Sequence, residues 1–449
     1  MGALEIVEVV TRELMLFAAV GLLIGGVDDL IVDLCYLFLR VVRRPRRLTV
    51  ETLPPATPLR FAILVPAWNE ADVIGQMLRA ALARLHGAPF RLFVGCYPND
   101  MATIEAVRAI DNERVRIVIG ERSGPTTKAD NLNSLWRALI VSGWNADAII
   151  VHDAEDAVHP DELTVFSALL AGEDVVQLPV LPIVARGSPL LSGHYADEFA
   201  ESHTKGLVLR SALGASLPLA GTGFAVATPL LARVADQRGG DPFDAQSLTE
   251  DYELGLHLAE HGARGCFARV RERDGRQLVA VRAIFPSELR AAVRQKARWM
   301  VGIALAGWDR TGWAKPLALS DHWMRLRDRR APLAMLVLAT AYVAMAALLV
   351  QTVWAWFADE RLSPMPVVLG PLLLANAFLL VWRLAVRALF TWRAYGVREA
   401  ILSPVRFVVG IAVDLMAAPR ALFTYCRMLR GAPLVWDKTA HQFPDLADT

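Results

Sequence analysis

Ala148-Ile-Ile-Val-His152-Asp153-Ala-Glu155-Asp156 is a short apolar run closed by an acidic tetrad. Four comparable apolar runs flank it in the chain: Phe61-Ala-Ile-Leu-Val-Pro66, Arg91-Leu-Phe-Val-Gly95, Val115-Arg-Ile-Val-Ile-Gly120 and Val175-Val-Gln-Leu178. Runs of this length and composition predict buried strands. Between them, residues 72–85, 103–110 and 128–141 carry helical periodicity. Strands alternating with helices predict an α/β unit with a mostly parallel sheet. In such sheets the ligand crevice lies beyond the carboxyl ends of the strands, so the tetrad closing the fourth run is weighed first. Alternation along a strand puts Asp153 and Glu155 on one side. Two carboxylates converging there require a cation, or one must take up a proton. A hard divalent ion such as Mg²⁺, bound by one or two carboxylates plus substrate phosphates, meets that need. The same letters also suit a helix start, because acidic residues favour helix N-termini and Pro160-Asp161-Glu162 opens one.

Outward from this core, the 449 residues are 54% hydrophobic and 21% charged, with mean hydropathy +0.36. That excludes a disordered chain, a fibrous repeat and a purely soluble domain, and the length predicts more than one structural unit. Lys and Arg number 47 against 46 Asp and Glu, a net charge of +1, so the chain has no overall polyanion-binding character and nucleic acid is not expected as a partner. The 4 cysteines, Cys35, Cys96, Cys266 and Cys426, form neither a CxxC pair nor a Cys/His cluster.

The apolar excess sits at the two ends. Residues 14–39 are almost wholly apolar apart from Asp28, Asp29 and Asp33, and the basic run Arg43-Arg44-Pro45-Arg46-Arg47 follows. The segment is long enough to span a bilayer, and the basic run predicts a cytoplasmic exit with the N-terminus across the membrane. A buried core helix is the alternative. Residues 332–357 and 367–382 predict a second and third span, with Arg383, Arg387 and Arg393 marking the cytoplasmic side again. Residues 403–429 are broken by Arg406 and Asp414 and predict an amphipathic helix in the inner interface. The expectation is therefore three spans plus interfacial helices around a cytoplasmic middle. A carboxylate at membrane depth is costly unless paired, and Arg383 and Arg387 are candidate partners for the three aspartates. The alternative leaves those aspartates in the headgroups.

Two further motifs follow the sheet. Thr249-Glu250-Asp251 heads a helical run, where it serves either as a cap or as a reactive acidic pair. Gln295-Lys-Ala-Arg298-Trp299 puts Gln and Arg three apart on one helical face just before the membrane region, where an interfacial aromatic anchor is the plainer reading.

Taken in order, Pro66-Ala-Trp-Asn69-Glu70, Asp153-Ala-Glu155-Asp156, Thr249-Glu250-Asp251 and Gln295-Lys-Ala-Arg298-Trp299 resemble the family 2 glycosyltransferases, specifically the membrane-embedded branch that includes cellulose and hyaluronan synthases. Lys128-Ala-Asp-Asn131-Leu-Asn133 and the turn Ala220-Gly221-Thr222-Gly223 also look like elements of that family, and the likeness covers residues 59–308. Tyr97-Pro-Asn-Asp100, the DAED form and the anchor preceding the catalytic domain look most like an inner-membrane group tied to exopolysaccharide secretion and phage adsorption. The resemblance implies a GT-A type, mostly parallel α/β domain at 49–308, an anchor at 1–48, and interfacial helices with a membrane hairpin at 309–449. It implies an inverting, metal-dependent transfer from a UDP-sugar, with UDP-N-acetylhexosamine favoured, to a growing exopolysaccharide at the bacterial inner membrane.

By the same resemblance Asp251 is the general base, with Glu250 and Thr249 shaping the acceptor site beside Gly221. Asp153 and Glu155 hold Mg²⁺ or Mn²⁺. Lys128 and Arg298 approach the phosphates, Gln295 joins them on the donor side, and Asn69 and Glu70 line the nucleotide. Trp299 stacks on the acceptor sugar. The chain departs from the family where an Asp pair normally follows the second strand: Tyr97-Pro98-Asn99-Asp100 stands there, with Asp100 as the substitute donor contact. No cyclic-di-GMP domain is recognisable in the sequence, so regulation by that nucleotide, if shared, is expected from a separate partner. Three spans are few for a private channel, so an export partner or an oligomer is expected. Two other readings use the same residues: a single-sugar transferase acting on a lipid-linked acceptor, and a catalytically silent receptor or scaffold.

Overall fold

A computed structural model describes residues 3–42, 48–432 and 442–445. The five predicted strands are all present: β1 (Phe61–Pro66), β2 (Phe90–Cys96), β3 (Val115–Ile119), β4 (Ala148–Val151) and β5 (Val175–Gln177), joined by β6 (Phe224–Ala227) and β7 (Gly265–Phe267). They make a seven-stranded sheet in the order β3-β2-β1-β4-β6-β5-β7. All neighbours are parallel except β6, which runs antiparallel to both β4 and β5. The predicted helices appear between them as α2 (Ala71–Arg84), α3 (Met101–Arg108) and α4 (Lys128–Val141), which follow the anchor helix α1 (Ala3–Val42).

Both faces of the sheet are covered, which is why its strands read as continuous apolar runs rather than alternating ones. Phe61, Ile63 and Val65 of β1 pack with Ile74, Met77 and Leu78 of α2 on one side. Ala62 and Leu64 turn to the other side, against Leu132, Leu135 and Trp136 of α4. Next come α5 (Glu162–Leu170), α6 (Leu191–Glu201), α7 (Glu250–Glu260) and α8 (Leu289–Met300).

After α9 (Leu319–Arg329) the chain forms α10 (Ala331–Ala358), α11 (Leu369–Tyr395) and α12 (Val397–Leu429). With α1, these last three make four helices long and apolar enough to cross a membrane, by length and composition, one more than the three spans expected. The extra one is α12, which contains the segment expected in the interface. Helix α1 packs closely on α10 and α11. A methyl group at Gly21 would meet Val337 Cγ1 at 2.7 Å, and one at Gly26 would meet Leu379 Cδ1 at 2.9 Å. Small residues permit such approach between membrane helices.

The three aspartates of α1 are paired. Arg327 and Arg330 each reach both Asp28 and Asp29, and Arg383 also pairs with Asp29. Asp33 pairs with Lys205. Of the two partners expected, Arg383 is one; Arg387 instead binds Glu201 at 3.2 Å. The basic run Arg43-Arg44-Pro45-Arg46-Arg47 lies outside the described residues.

Candidate active site

A cleft of about 380 Å³ opens beyond the carboxyl end of β4. It brings together ten of the thirteen residues singled out by sequence: Lys128, Asp153, Glu155, Gly221, Thr249, Glu250, Asp251, Gln295, Arg298 and Trp299 all line it. They come from five places that the fold gathers: the N-terminus of α4, the turn after β4, the turn before β6, the start of α7 and one face of α8.

The tetrad is not strand. β4 ends at Val151, and Asp153-Ala-Glu155-Asp156 is a turn. The alternation argument therefore does not apply to it. The turn is instead closed on itself, with Asp153 N–H donating to Asp156 Oδ2 at 2.7 Å and Asp156 N–H to Asp153 O at 3.3 Å. Nor does it cap a helix, since α5 begins at Glu162, several residues on.

Lys128, the first residue of α4, projects between the carboxylates because Thr127 caps that helix, its hydroxyl accepting from Asp130 N–H at 3.1 Å. The ammonium lies 2.6 Å from Asp153 Oδ1 and 3.6 Å from Glu250 Oε1, and donates to Gly221 O at 3.0 Å. Burial works against its charge, but Asp153, Glu250 and Asp251 more than offset this and hold its pKa above the ordinary range. Burial, reinforced by the charge of Glu250, pushes the Asp251 carboxyl up to about 7. Gly221 has φ 79°, and a Cβ there would stand 3.1 Å from Asp251 Oδ2, so a side chain at this turn would crowd the carboxylate.

Thr249 occupies the N-cap position of α7 yet makes no capping bond, and its hydroxyl oxygen is buried without a partner. Gln295 Oε1 and Arg298 Nε are buried and unpartnered in the same way. Buried polar atoms are nearly always satisfied, so three orphans around one cleft point to a ligand. Lys296, between them in sequence, is buried behind the lining rather than part of it. It pairs with Glu198 of α6 and lies 3.9 Å from Asp414 of α12, under Tyr195 and Trp299.

The remaining three candidates lie outside the cleft. Asp100 spends its carboxylate on structure: Oδ1 accepts from Thr103 N–H at 3.3 Å, capping α3, and Oδ2 accepts from Asn69 N–H at 2.6 Å. Glu70 N–H donates to Thr103 Oγ1 at 2.9 Å. The rest of the unusual loop is employed likewise. Tyr97 Oη bonds Thr126 Oγ1 at 2.8 Å, and Asn99 exchanges two hydrogen bonds with Gly124. The loop thus ties the β1 and β3 exits together, with Asp100 bonded to the backbone of both Asn69 and Thr103.

Sequence reasoning missed the layer beneath the cleft. His152, Asp156, Glu162 and Thr222 are buried together. His152 Nε2 lies 3.0 Å from Glu162 Oε1; its Nδ1 lies 3.3 Å from Asp156 Oδ2 and 3.2 Å from Thr222 Oγ1. Burial disfavours the imidazolium, but Glu162 and Asp156 raise its pKa to about 10. The signal was a histidine ending an apolar strand beside an acidic tetrad.

Among the described residues no three His, Cys, Asp or Glu side chains form a ready metal cluster. Two carboxylates on one turn are nevertheless a fitting donor set for a hard divalent ion whose other ligands come from a diphosphate. Seven carboxylates against two Lys or Arg cations line the cleft, an imbalance that such an ion offsets.

A sheet of this order with an acidic turn beyond its central strand is a GT-A core, and the chain belongs to the glycosyltransferase like family 2, which matches residues 58–302. It is therefore a glycosyltransferase by class. Among known proteins it is similar to bacteriophage adsorption protein B of Escherichia coli (strain K12) and bacteriophage N4 adsorption protein B of Escherichia coli O157:H7. Each is 34% identical over 461 residues, 95% of this chain and 62% of the relative, so the chain spans less than two thirds of their length. Among solved structures it is similar in fold to mannosyltransferase PcManGT from Pyrobaculum calidifontis in complex with GDP-Man and Mn²⁺. The TM-score is 0.54 at 18% identity, covering 87% of this chain and 99% of that one.

Proposed function

We propose that the chain is an inverting, metal-dependent glycosyltransferase that moves a sugar from a UDP-sugar to a growing exopolysaccharide at the bacterial inner membrane, with UDP-N-acetylhexosamine as donor. The observation that carries this reading is the convergence in one cleft of Asp251, the Asp153-Glu155 turn, and the unpartnered atoms of Thr249, Gln295 and Arg298.

Asp251 is the general base. A carboxyl with its pKa near 7 holds and releases a proton in the range where an acceptor hydroxyl must lose one. Glu250, beside it, raises that pKa, while Gly221 keeps the approach open. Lys128 and Arg298 meet the negative charge that develops on the leaving diphosphate, and Gln295 orients it from the same helical face. Trp299 offers an aromatic wall to the acceptor sugar, and Thr249 shapes the floor of that subsite. Asp153 and Glu155 hold Mg²⁺ or Mn²⁺, which supplies further electrostatic stabilisation of the leaving group when bound. Asn69, Glu70 and Asp100 order the loops at the nucleotide side.

Nucleotide sugars are cytoplasmic, so the catalytic domain faces the cytoplasm. α12 lies in the inner interface rather than across the bilayer, because it follows the catalytic domain along its length: Arg406 reaches Asp197 of α6, Asp414 reaches Lys296 of α8, and Tyr425 bonds Asp309. By contrast α11 meets that domain through its C-terminal half alone, with Arg387 on Glu201, Thr391 on Asp197 and Tyr395 on Pro182. Three spans give little room for a private channel, so export of the polar product rests on an oligomer or a partner protein.

The test is UDP release by the detergent-purified chain over a panel of UDP-sugars with Mn²⁺ or Mg²⁺, beside Asp251→Asn. Metal-dependent turnover with one donor, lost in the variant, is the expected result. A chain that neither turns over nor binds any UDP-sugar is a scaffold, and the reading falls.

A further inference from the structure

Donor-side and acceptor-side turns are separate in sequence, at 153–156 and 220–223, yet one buried group joins them. Asp156 Oδ2 receives the Asp153 N–H at 2.7 Å and also the hydroxyl of Thr222. Thr222 sits in the acceptor-side turn between Gly221, whose carbonyl binds Lys128, and Gly223. His152 stands under both turns, its Nδ1 within 3.3 Å of Asp156 Oδ2 and 3.2 Å of Thr222 Oγ1. Glu162 fixes the ring from the far side at 3.0 Å through Nε2, and its own Oε2 accepts from His159 N–H at 3.3 Å. With carboxylates facing both ring nitrogens, both donate, and the ring cannot rotate without breaking a bond at each end. The four side chains are 0 to 4% exposed. Burial of three ionisable groups is expensive unless each is fully hydrogen-bonded, and an apolar filling would hold the sheet equally well. Asp156 Oδ1, moreover, is buried without a partner on a residue that lines the cleft.

We propose that His152, Asp156, Thr222 and Glu162 form a positioning network that locks the cation-holding turn to the acceptor turn, so that donor and acceptor are held at a fixed separation. This rests on the transferase reading above. His152 and Glu162 stand behind the cleft, and Asp156 and Thr222, which also line it, act through the backbone: Asp156 sets the direction of Asp153 and Thr222 carries the same constraint to Gly221. Groups that orient metal ligands typically change metal affinity about 10–100-fold when removed. A network that merely stabilised the fold would leave that affinity alone in molecules that remain folded.

The experiment uses the detergent-solubilised full chain and measures equilibrium binding of UDP as a function of Mn²⁺ concentration, with thermal unfolding recorded in parallel. Thr222→Val keeps the volume and removes the hydroxyl, whereas Thr222→Ser keeps the hydroxyl. His152→Gln keeps a donor toward one partner only. The expected result is that Thr222→Val and His152→Gln each raise the Mn²⁺ concentration for half-maximal UDP binding about tenfold or more, while Thr222→Ser stays within twofold of the parent. Variants that unfold at lower temperature but bind UDP with unchanged Mn²⁺ dependence would show a purely structural role and overturn the inference. If His152→Gln does not fold, the Thr222 pair decides alone. A parent chain that binds no UDP at any Mn²⁺ concentration fails the transferase reading itself, which separates the two failures.

Discussion

At the scale of single residues, Asp251 is the group whose chemistry is most exposed to test. Its carboxyl is held up to about 7 by burial and by Glu250. Below that pH it is protonated and cannot accept a proton; above it the base form prevails. The pH profile of kcat/KM, which reports the free enzyme, is therefore expected to carry an acid limb near pH 7, with the rate falling as pH drops. Glu250→Gln removes the like charge and is expected to move that limb to lower pH. A limb that stays in place would remove Asp251 from the base role. Asp251→Asn is expected to lower kcat by about 10²–10⁴-fold with the fold intact, as measured by UDP release. The sequence named this residue, but it left open whether Thr249-Glu250-Asp251 was a cap or a reactive pair. Only three dimensions show that Thr249 makes no capping bond and faces the cleft instead. The role of buried His152 was illegible for the opposite reason. A histidine beside the tetrad marks a place but does not name its partners, with Glu162 10 residues on and Thr222 70.

Among the elements, the core was readable because the central strands β1 and β4 are buried on both faces and helices α2 and α4 each pack an apolar face against them. What was not readable was direction and extent. Nothing in Phe224–Ala227 announces that this strand runs antiparallel to its neighbours, since pairing direction is set by the connections and not by composition. The Asp153-Glu155 alternation failed because a strand's end is fixed by its last paired residue, here Val151 against Leu64 and Phe224. For α12, charge reading found Arg406 but not its purpose. Arg406 is fully buried, 3.3 Å from Asp197 and paired also with Glu399. Removing one member of a buried pair leaves the other uncompensated, which costs about 3–5 kcal/mol. Arg406→Met is thus expected to destabilise the chain by that order in detergent unfolding experiments. Adding Asp197→Asn should recover part of the loss, because the uncompensated charge disappears with it. Strictly additive losses would mean that the pair is not what fastens α12 to α6.

Across the whole molecule, acidic α1 and basic α9 and α11 are keyed together, and the key reaches the cleft. Asp28 and Asp29 meet Arg327, Arg330 and Arg383. Asp33 meets Lys205, which lies in the π-helical turn Ser202–Gly206, and Ser202 and His203 of that turn line the cleft. Anchor and catalytic domain therefore share charged contacts on one side of the apolar segments. α12 decides whether the chain returns there. From Arg406 to Tyr425 it keeps company with the catalytic domain over about 30 Å, at 1.5 Å per residue. A crossing helix would have left the domain within a turn or two. The far end of α12 carries the exposed Cys426, next to Tyr425 and its bond to Asp309. In inverted inner-membrane vesicles a membrane-impermeant maleimide is expected to modify Cys426, with Cys426→Ser as the control, whereas in intact spheroplasts it should not. Labelling from the outer face would make α12 a fourth span, put the end of the helix across the bilayer, and separate it from the α8 and Asp309 contacts that hold Lys296 and the Gln295-Arg298-Trp299 face against the cleft.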